Sequence, residues 1–257
     1  MKRFANFFVC GVMVVSAASA FQKQPKPKSQ KEVDAIQAMF KAPMGDAQIA
    51  AAEALLTNFS DTEFKSLALF MEADNWARAK NNFEKSVVFG ERALEADPQN
   101  YQAMLLLARQ YASHTTENDL DKEEKLTKAS KYANDAMALV ANAPKPNPGV
   151  PDAAWDAAKK DYMSQAHEAL GMTADVRKKY DVAATEYKAA VDGAATPDPA
   201  TMVRYAIAQE HMGKFDEAIA TLDKVIADPN SAPVVKQYAT NEKNRATTLK
   251  NSAANKK

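Results

Sequence analysis

The residues of this chain that could do chemistry are three histidines, one cysteine and a scatter of aromatic side chains. His167-Glu168 begins as the helical zinc-protease motif does, where two histidines one turn apart hold the metal and the glutamate acts as base. Gly171 stands where the second histidine is needed. His114 and His211 have no second ligand at metal spacing. Cys10 lies inside an apolar N-terminal stretch, so the chain beyond it has no thiolate nucleophile, no disulfide and no thiolate metal site. There is no Gly-rich phosphate loop and no Gly-x-Ser-x-Gly elbow. The carboxylates are spaced like solvated helix faces. A sugar- or peptidoglycan-directed enzyme or binding protein, the alternative function, would have to gather Trp76, Trp155 and Tyr162 with carboxylates in one pocket. No catalytic residue, metal ligand or cofactor is expected.

Whatever function remains must come from surfaces, and so from the elements that present them. Only 7 glycines in 257 residues, with abundant Ala, Lys, Glu, Leu and Met, point to helix throughout. The 33 basic and 33 acidic residues balance. Losing Lys2 and Arg3 with a leader leaves 31 against 33, a net charge of −2, which is no footprint for nucleic acid. MKRFANFF, the apolar residues 9–15 and Ala18-Ser19-Ala20 fit a cleaved signal peptide over 1–20. That places the mature chain in the periplasm or outside the cell, with no integral membrane segment after cleavage. Residues 21–31, basic and Pro-containing, read as a flexible lead-in whose lysines could also touch an anionic surface.

Helical patterns then run at about 32–41, 47–58 behind Asp46, and from a Ser60-x-x-Glu63 capping box to about 79. Others follow at about 82–96, 101–113, and 122–141 behind Asp121. The four prolines of 142–151 make the clearest break, dividing 32–141 from 152–250. Beyond it helices are expected near 153–177, 179–192, 199–212, 215–227 and 232–250, with a disordered tail at 251–257. ALEADPQN at 93–100 ends one helix on Asp97-Pro98 and starts another behind Asn100, since proline cannot continue a helix and asparagine caps the next. The same corner returns at Ala227-Asp228-Pro229-Asn230.

Residues 202–230 resemble a tetratricopeptide repeat, the family of paired antiparallel helices in about 34 residues. Ala206 takes the small position of the first helix and Gly213 the turn. Phe215 opens the second helix, Ala218 lies at the tight crossing, and Leu222 fills the large pocket. Residues 67–100, 101–141 and 164–197 match in part, with Ser86, Ala129 and Ala183 at the crossing, and a degenerate fifth unit falls at about 46–66. The crossings are 43, 54 and 35 residues apart, so the excess over the period falls in the turn 115–122 and in the Pro-rich break with an over-long helix. The resemblance implies an all-α, right-handed α-solenoid of antiparallel helix pairs. The helix at 232–250 would seal it as a cap, its inner face carrying Val234, Val235, Tyr238 and Leu249.

The resemblance also implies a protein–protein interaction scaffold whose partner, a protein or peptide, lies in the groove lined by first helices. Transferred unit by unit, the groove positions are Met71, Asn75 and Arg78; Gln102, Leu105 and Arg109; Glu168, Met172 and Asp175; and Val203, Ile207 and Glu210. Of the family's chaperone-tail clamp only Asn75 matches, so that specialised activity is not implied. Self-association as a homo-oligomer through an end of the stack is a further expectation.

Overall fold

Helix follows helix in the computed structural model, which describes residues 25–255. The described residues form α1 (Gln30–Lys41), α2 (Asp46–Asn58), α3 (Lys65–Arg78), α4 (Phe83–Ala96), α5 (Tyr101–Ser113) and α6 (Lys122–Asn142). They continue as α7 (Asp152–Val176), α8 (Tyr180–Gly193), α9 (Pro199–His211), α10 (Phe215–Ala227) and α11 (Pro233–Ala254). The signal-peptide expectation over 1–20 lies outside the described residues. Starts are set by side chains that satisfy otherwise orphaned N–H groups: Ser29, Asn82, Asn100 and Asp198 accept from the backbone of Glu32, Lys85, Ala103 and Thr201.

Pairing is sequential. α3–α4, α5–α6, α7–α8 and α9–α10 are the four expected units, α1–α2 precedes them, and α11 follows. Substantial contacts join only helices one or two places apart in the chain, as a one-dimensional stack requires. The four crossing residues, Ser86, Ala129, Ala183 and Ala218, are all fully buried. Gly90 and Gly171 let helices approach equally closely. A Cβ at Gly90 would meet the Leu107 side chain at 2.9 Å, and one at Gly171 the Tyr187 ring at 2.6 Å. The latter contact explains why a glycine, rather than a second histidine, follows His167-Glu168.

The repeat also shows in polar contacts one unit apart. Asn100 Nδ2 donates to Ser66 Oγ, 34 residues away, and Ser66 Oγ in turn donates to the Ala93 carbonyl. Ala195 N donates to Asp161 Oδ1 across 34 residues, and Lys250 pairs with Asp216 across the same interval. The Asp-Pro corner is thus stitched to the preceding unit as well as capped.

The Pro-rich break does not divide the core. One apolar cluster runs from Met104 and Leu107 through Ala129 and Ala136 to Ala169, Tyr187 and Ala208, so α5 and α6 share it with α7, α8 and α9. Trp155, nearly buried, donates from Nε1 to the Ala143 carbonyl across the loop, and Lys145 Nζ pairs with Asp152 at 2.6 Å. Limited proteolysis is expected to cut first within 143–151, because the loop's own backbone is exposed and helix-free. The two fragments are expected to remain associated on gel filtration, held by the shared core.

Several expected details differ. Gly45, not Asp46, is the N-cap of α2, with φ of 108°, and Asp46 is a helical residue paired with Lys80. The Ser60–Glu63 capping box does not form, because Glu63 has another partner and α3 begins at Lys65. Lys26 N donates to Glu63 Oε2, and Thr62 Oγ1 donates to the buried Glu32 Oε1 at 2.6 Å. The end of the lead-in is therefore docked: Lys28 Nζ reaches both the carbonyl and the carboxylate of Asp61. Asp121 makes no capping bond and pairs with Lys125 instead. The degenerate first unit is α1 with α2 rather than residues 46–66. α11 continues to Ala254, beyond the end set at 250. Its inner face is made by Ala239, Glu242 and Ala246 with Val235, whereas Val234, Tyr238 and Leu249 are exposed.

Candidate functional site

The transferred groove positions all lie on the first helices of their units, α3, α5, α7 and α9. They divide sharply by accessibility. Asn75, Leu105, Glu168, Met172, Val203 and Glu210 are buried, whereas Met71, Gln102, Asp175 and Ile207 are half-buried and Arg78 and Arg109 are exposed. Only the last six, together with charged neighbours, offer atoms to a partner.

Asn75 is occupied internally. Its Oδ1 accepts from Gly45 N at 2.6 Å, while Nδ2 donates to Gln48 Oε1 and to the Met71 carbonyl. It holds the positive-φ entry of α2, a role the resemblance does not carry. Leu105, Met172 and Val203 are core residues of the stack. Gln102 donates from Nε2 to the Tyr162 hydroxyl at 3.3 Å.

The buried carboxylates are anchored by arginines one unit away. Arg204 Nη1 of α9 donates to Glu168 Oε1 at 3.0 Å, and Arg109 Nη1 of α5 lies 3.7 Å from Glu168 Oε2. Arg245 of α11 grips Glu210 Oε2 through Nε at 3.0 Å and Nη2 at 2.9 Å, and it also reaches Glu242. Arg78 Nε pairs with Asp74 at 2.7 Å on α3. Guanidiniums therefore top the first helices α3, α5 and α9 (Arg78, Arg109 and Arg204) and the last helix α11 (Arg245), while α7 supplies the Glu168 carboxylate, and their counter-charges are set deeper. Burial raises the carboxyl of Asp74 above the usual range, against the pull of Arg78 and Arg109. Burial likewise raises Glu210, against Arg245, and Asp175, against His211 and Arg204. Arg204 and Arg245 are absent from the transferred set. The signal for them was present: Glu168 to Arg204 and Glu210 to Arg245 are opposite charges 36 and 35 residues apart, close to one repeat.

The candidate chemical residues do not converge. His167 Nδ1 meets Glu186 Oε2 at 2.8 Å, His211 stacks on Tyr180, and His114 stacks on Phe83. Among the described residues no group of His, Cys, Asp and Glu could hold a metal ion, and no helix is long and apolar enough to cross a membrane. Trp155 and Tyr162 pack edge-to-face with each other, and Tyr162 with Tyr101, inside the α5–α7 contact. Trp76 lies elsewhere, under the Lys85 ammonium at 3.8 Å. The pocket that a sugar-directed reading needs is not formed by these three. A cavity of about 280 Å³ lies between the α5–α6 loop and the α7–α8 turn, crossed by the Arg177–Glu123 and Lys178–Glu117 pairs. These pairs join the inserted turn to the next unit.

Comparison with known proteins follows the same lines. Residues 200–231 match the family model described as tetratricopeptide repeat. A search of curated proteins returns no match. Among solved structures, the crystal structure of a thermophilic TPR protein from Thermus thermophilus is similar, with a TM-score of 0.54 at 16% identity. The match covers 82% of this chain and 93% of that one. At that identity the likeness speaks for the fold.

Proposed function

We propose that this chain, a tetratricopeptide-repeat protein by its matched repeat and its fold, is a non-catalytic scaffold that holds a segment of another protein along its first helices. The observation that carries the reading is the guanidinium row. Arg78, Arg109 and Arg245 keep about half or more of their side chains exposed, while Glu168 and Glu210 beneath them are almost wholly covered. An approaching chain therefore meets N–H forks rather than carboxylates. Such forks suit main-chain carbonyls and side-chain carboxylates of an extended peptide. Met71 and Ile207, half-buried on the same helices as Arg78 and Arg204, supply apolar contact. The leader-like residues 1–20 support a place in the periplasm or beyond, which the N-terminal mass of the mature chain would check.

Photo-crosslinkers at Gln102 and Ile207, with Val88 and Val182 on second helices as outer controls, test the reading in native envelope extracts. Partners captured only from the first-helix positions, and lost in an R78E/R109Q chain of unchanged helicity, are the expected result. Equal capture from both faces, or capture indifferent to those substitutions, would remove it.

A further inference from the structure

The last helix of the stack has two unlike faces. Val235, Ala239 and Ala246 pack on the preceding unit, and Lys243 and Lys250 pair with Asp223 and Asp216 of α10. Lys236, Lys243 and Lys250 recur every seven residues, so all three ammonium groups stay on one side. The side turned away from those lysines, flanking the packed face, carries Val234, Tyr238 and Leu249 at 72%, 52% and 42% exposure. The other exposed residues there are Gln237, Asn241, Asn244 and Thr248, all uncharged, with Arg245 as the one exposed charge. A helix that only seals a solenoid presents a polar outer face. This one sets an aromatic, two aliphatic side chains and an arginine among uncharged polar residues, and that charge depletion is a mark of an interface centre.

We propose that this face pairs with the same face of a second copy of the chain, the two α11 helices lying antiparallel across a two-fold axis. At about 100° per residue, Val234, Tyr238, Arg245 and Leu249 fall within an arc of about 60°. With the axis between Asn241 and Glu242, Val234 meets the second copy's Leu249 and Tyr238 meets the second copy's Arg245. Both matches are made twice by one register, as a two-fold interface requires. The tyrosine ring then faces a guanidinium that Glu210 and Glu242 already hold in place, a favourable cation–π arrangement. A stripe along a helix of this length buries on the order of 1,000 Å² in total, near the lower limit for a specific interface, so the dimer is a weak one. The pairing shares Arg245 with the guanidinium row, whereas Val234 and Leu249 belong to the pairing alone, so substitutions at those two leave all four arginines in place.

Sedimentation equilibrium of the mature chain between about 1 and 200 μM should show a monomer–dimer transition. V234D/L249D should abolish it while leaving the circular dichroism melt within a degree or two. In the same mature chain, which has no other cysteine once residues 1–20 are removed, oxidation of a mixture of V234C and L249C molecules should give the mixed disulfide dimer, and neither variant alone should crosslink. A monomer at every concentration, a dimer that survives V234D/L249D, or crosslinking of V234C to itself would each overturn the assignment.

Discussion

Glu72→Gln is expected to stabilise the protein by about 3 kcal/mol at pH 8 and to change little at pH 4. Glu72 on α3 is fully buried and neither carboxylate oxygen has a hydrogen-bond partner. Burial, reinforced by Glu53 of α2 and only partly opposed by Arg92 of α4, pushes its carboxyl up to about 7. Below its unfolded value near 4.5 the group is neutral in both states and imposes no ionisation penalty. As pH rises toward 7 the unfolded chain loses its proton first, so stability falls across that window and is flat above it. Glutamine keeps the shape and removes the ionisation. Urea midpoints for both chains at several pH values measure the difference, which should open between pH 4.5 and 7. A constant difference, or one that closes as pH rises, would show that the carboxylate has found a partner.

Gly171→Ala is expected to cost about 2–3 kcal/mol, although alanine gains about 1 kcal/mol of helix propensity. The added methyl would sit 2.6 Å from the Tyr187 ring, which is itself almost wholly buried and has little room to withdraw. Tyr187→Leu alone should destabilise by leaving a void. The two changes together should cost less than their sum, since the smaller side chain makes room for the methyl. Strict additivity in that cycle would mean the helices had separated instead.

The parts of the fold set by local chemistry were legible. Asn100 and Asp198 cap as their types require, proline ends helices at 98 and 229, and the small residues at 86, 129, 183 and 218 all lie at tight crossings. Where side chains find partners far along the chain, the sequence misled. Ser60-x-x-Glu63 has the composition of a capping box, yet Glu63 is taken by Lys26. The inner face of α11 is hard to read because alanines do the packing there, and alanine carries little hydropathy contrast, while the larger Val234, Tyr238 and Leu249 draw the eye. A position code transferred from a family names residues on the first helices but cannot say which are covered. Glu168 and Glu210 are covered because an arginine from the next unit lies across each.

Glu168 lies between the guanidiniums of two neighbouring units, one oxygen turned to each. A carboxylate divided in this way makes Arg109 and Arg204 rivals. Whatever draws Arg109 toward an outside anion leaves Arg204 with the undivided charge. Were a partner to occupy the Arg109 rung, the joint beyond it would tighten, and stiffness would pass down the ladder while every helix kept its neighbours.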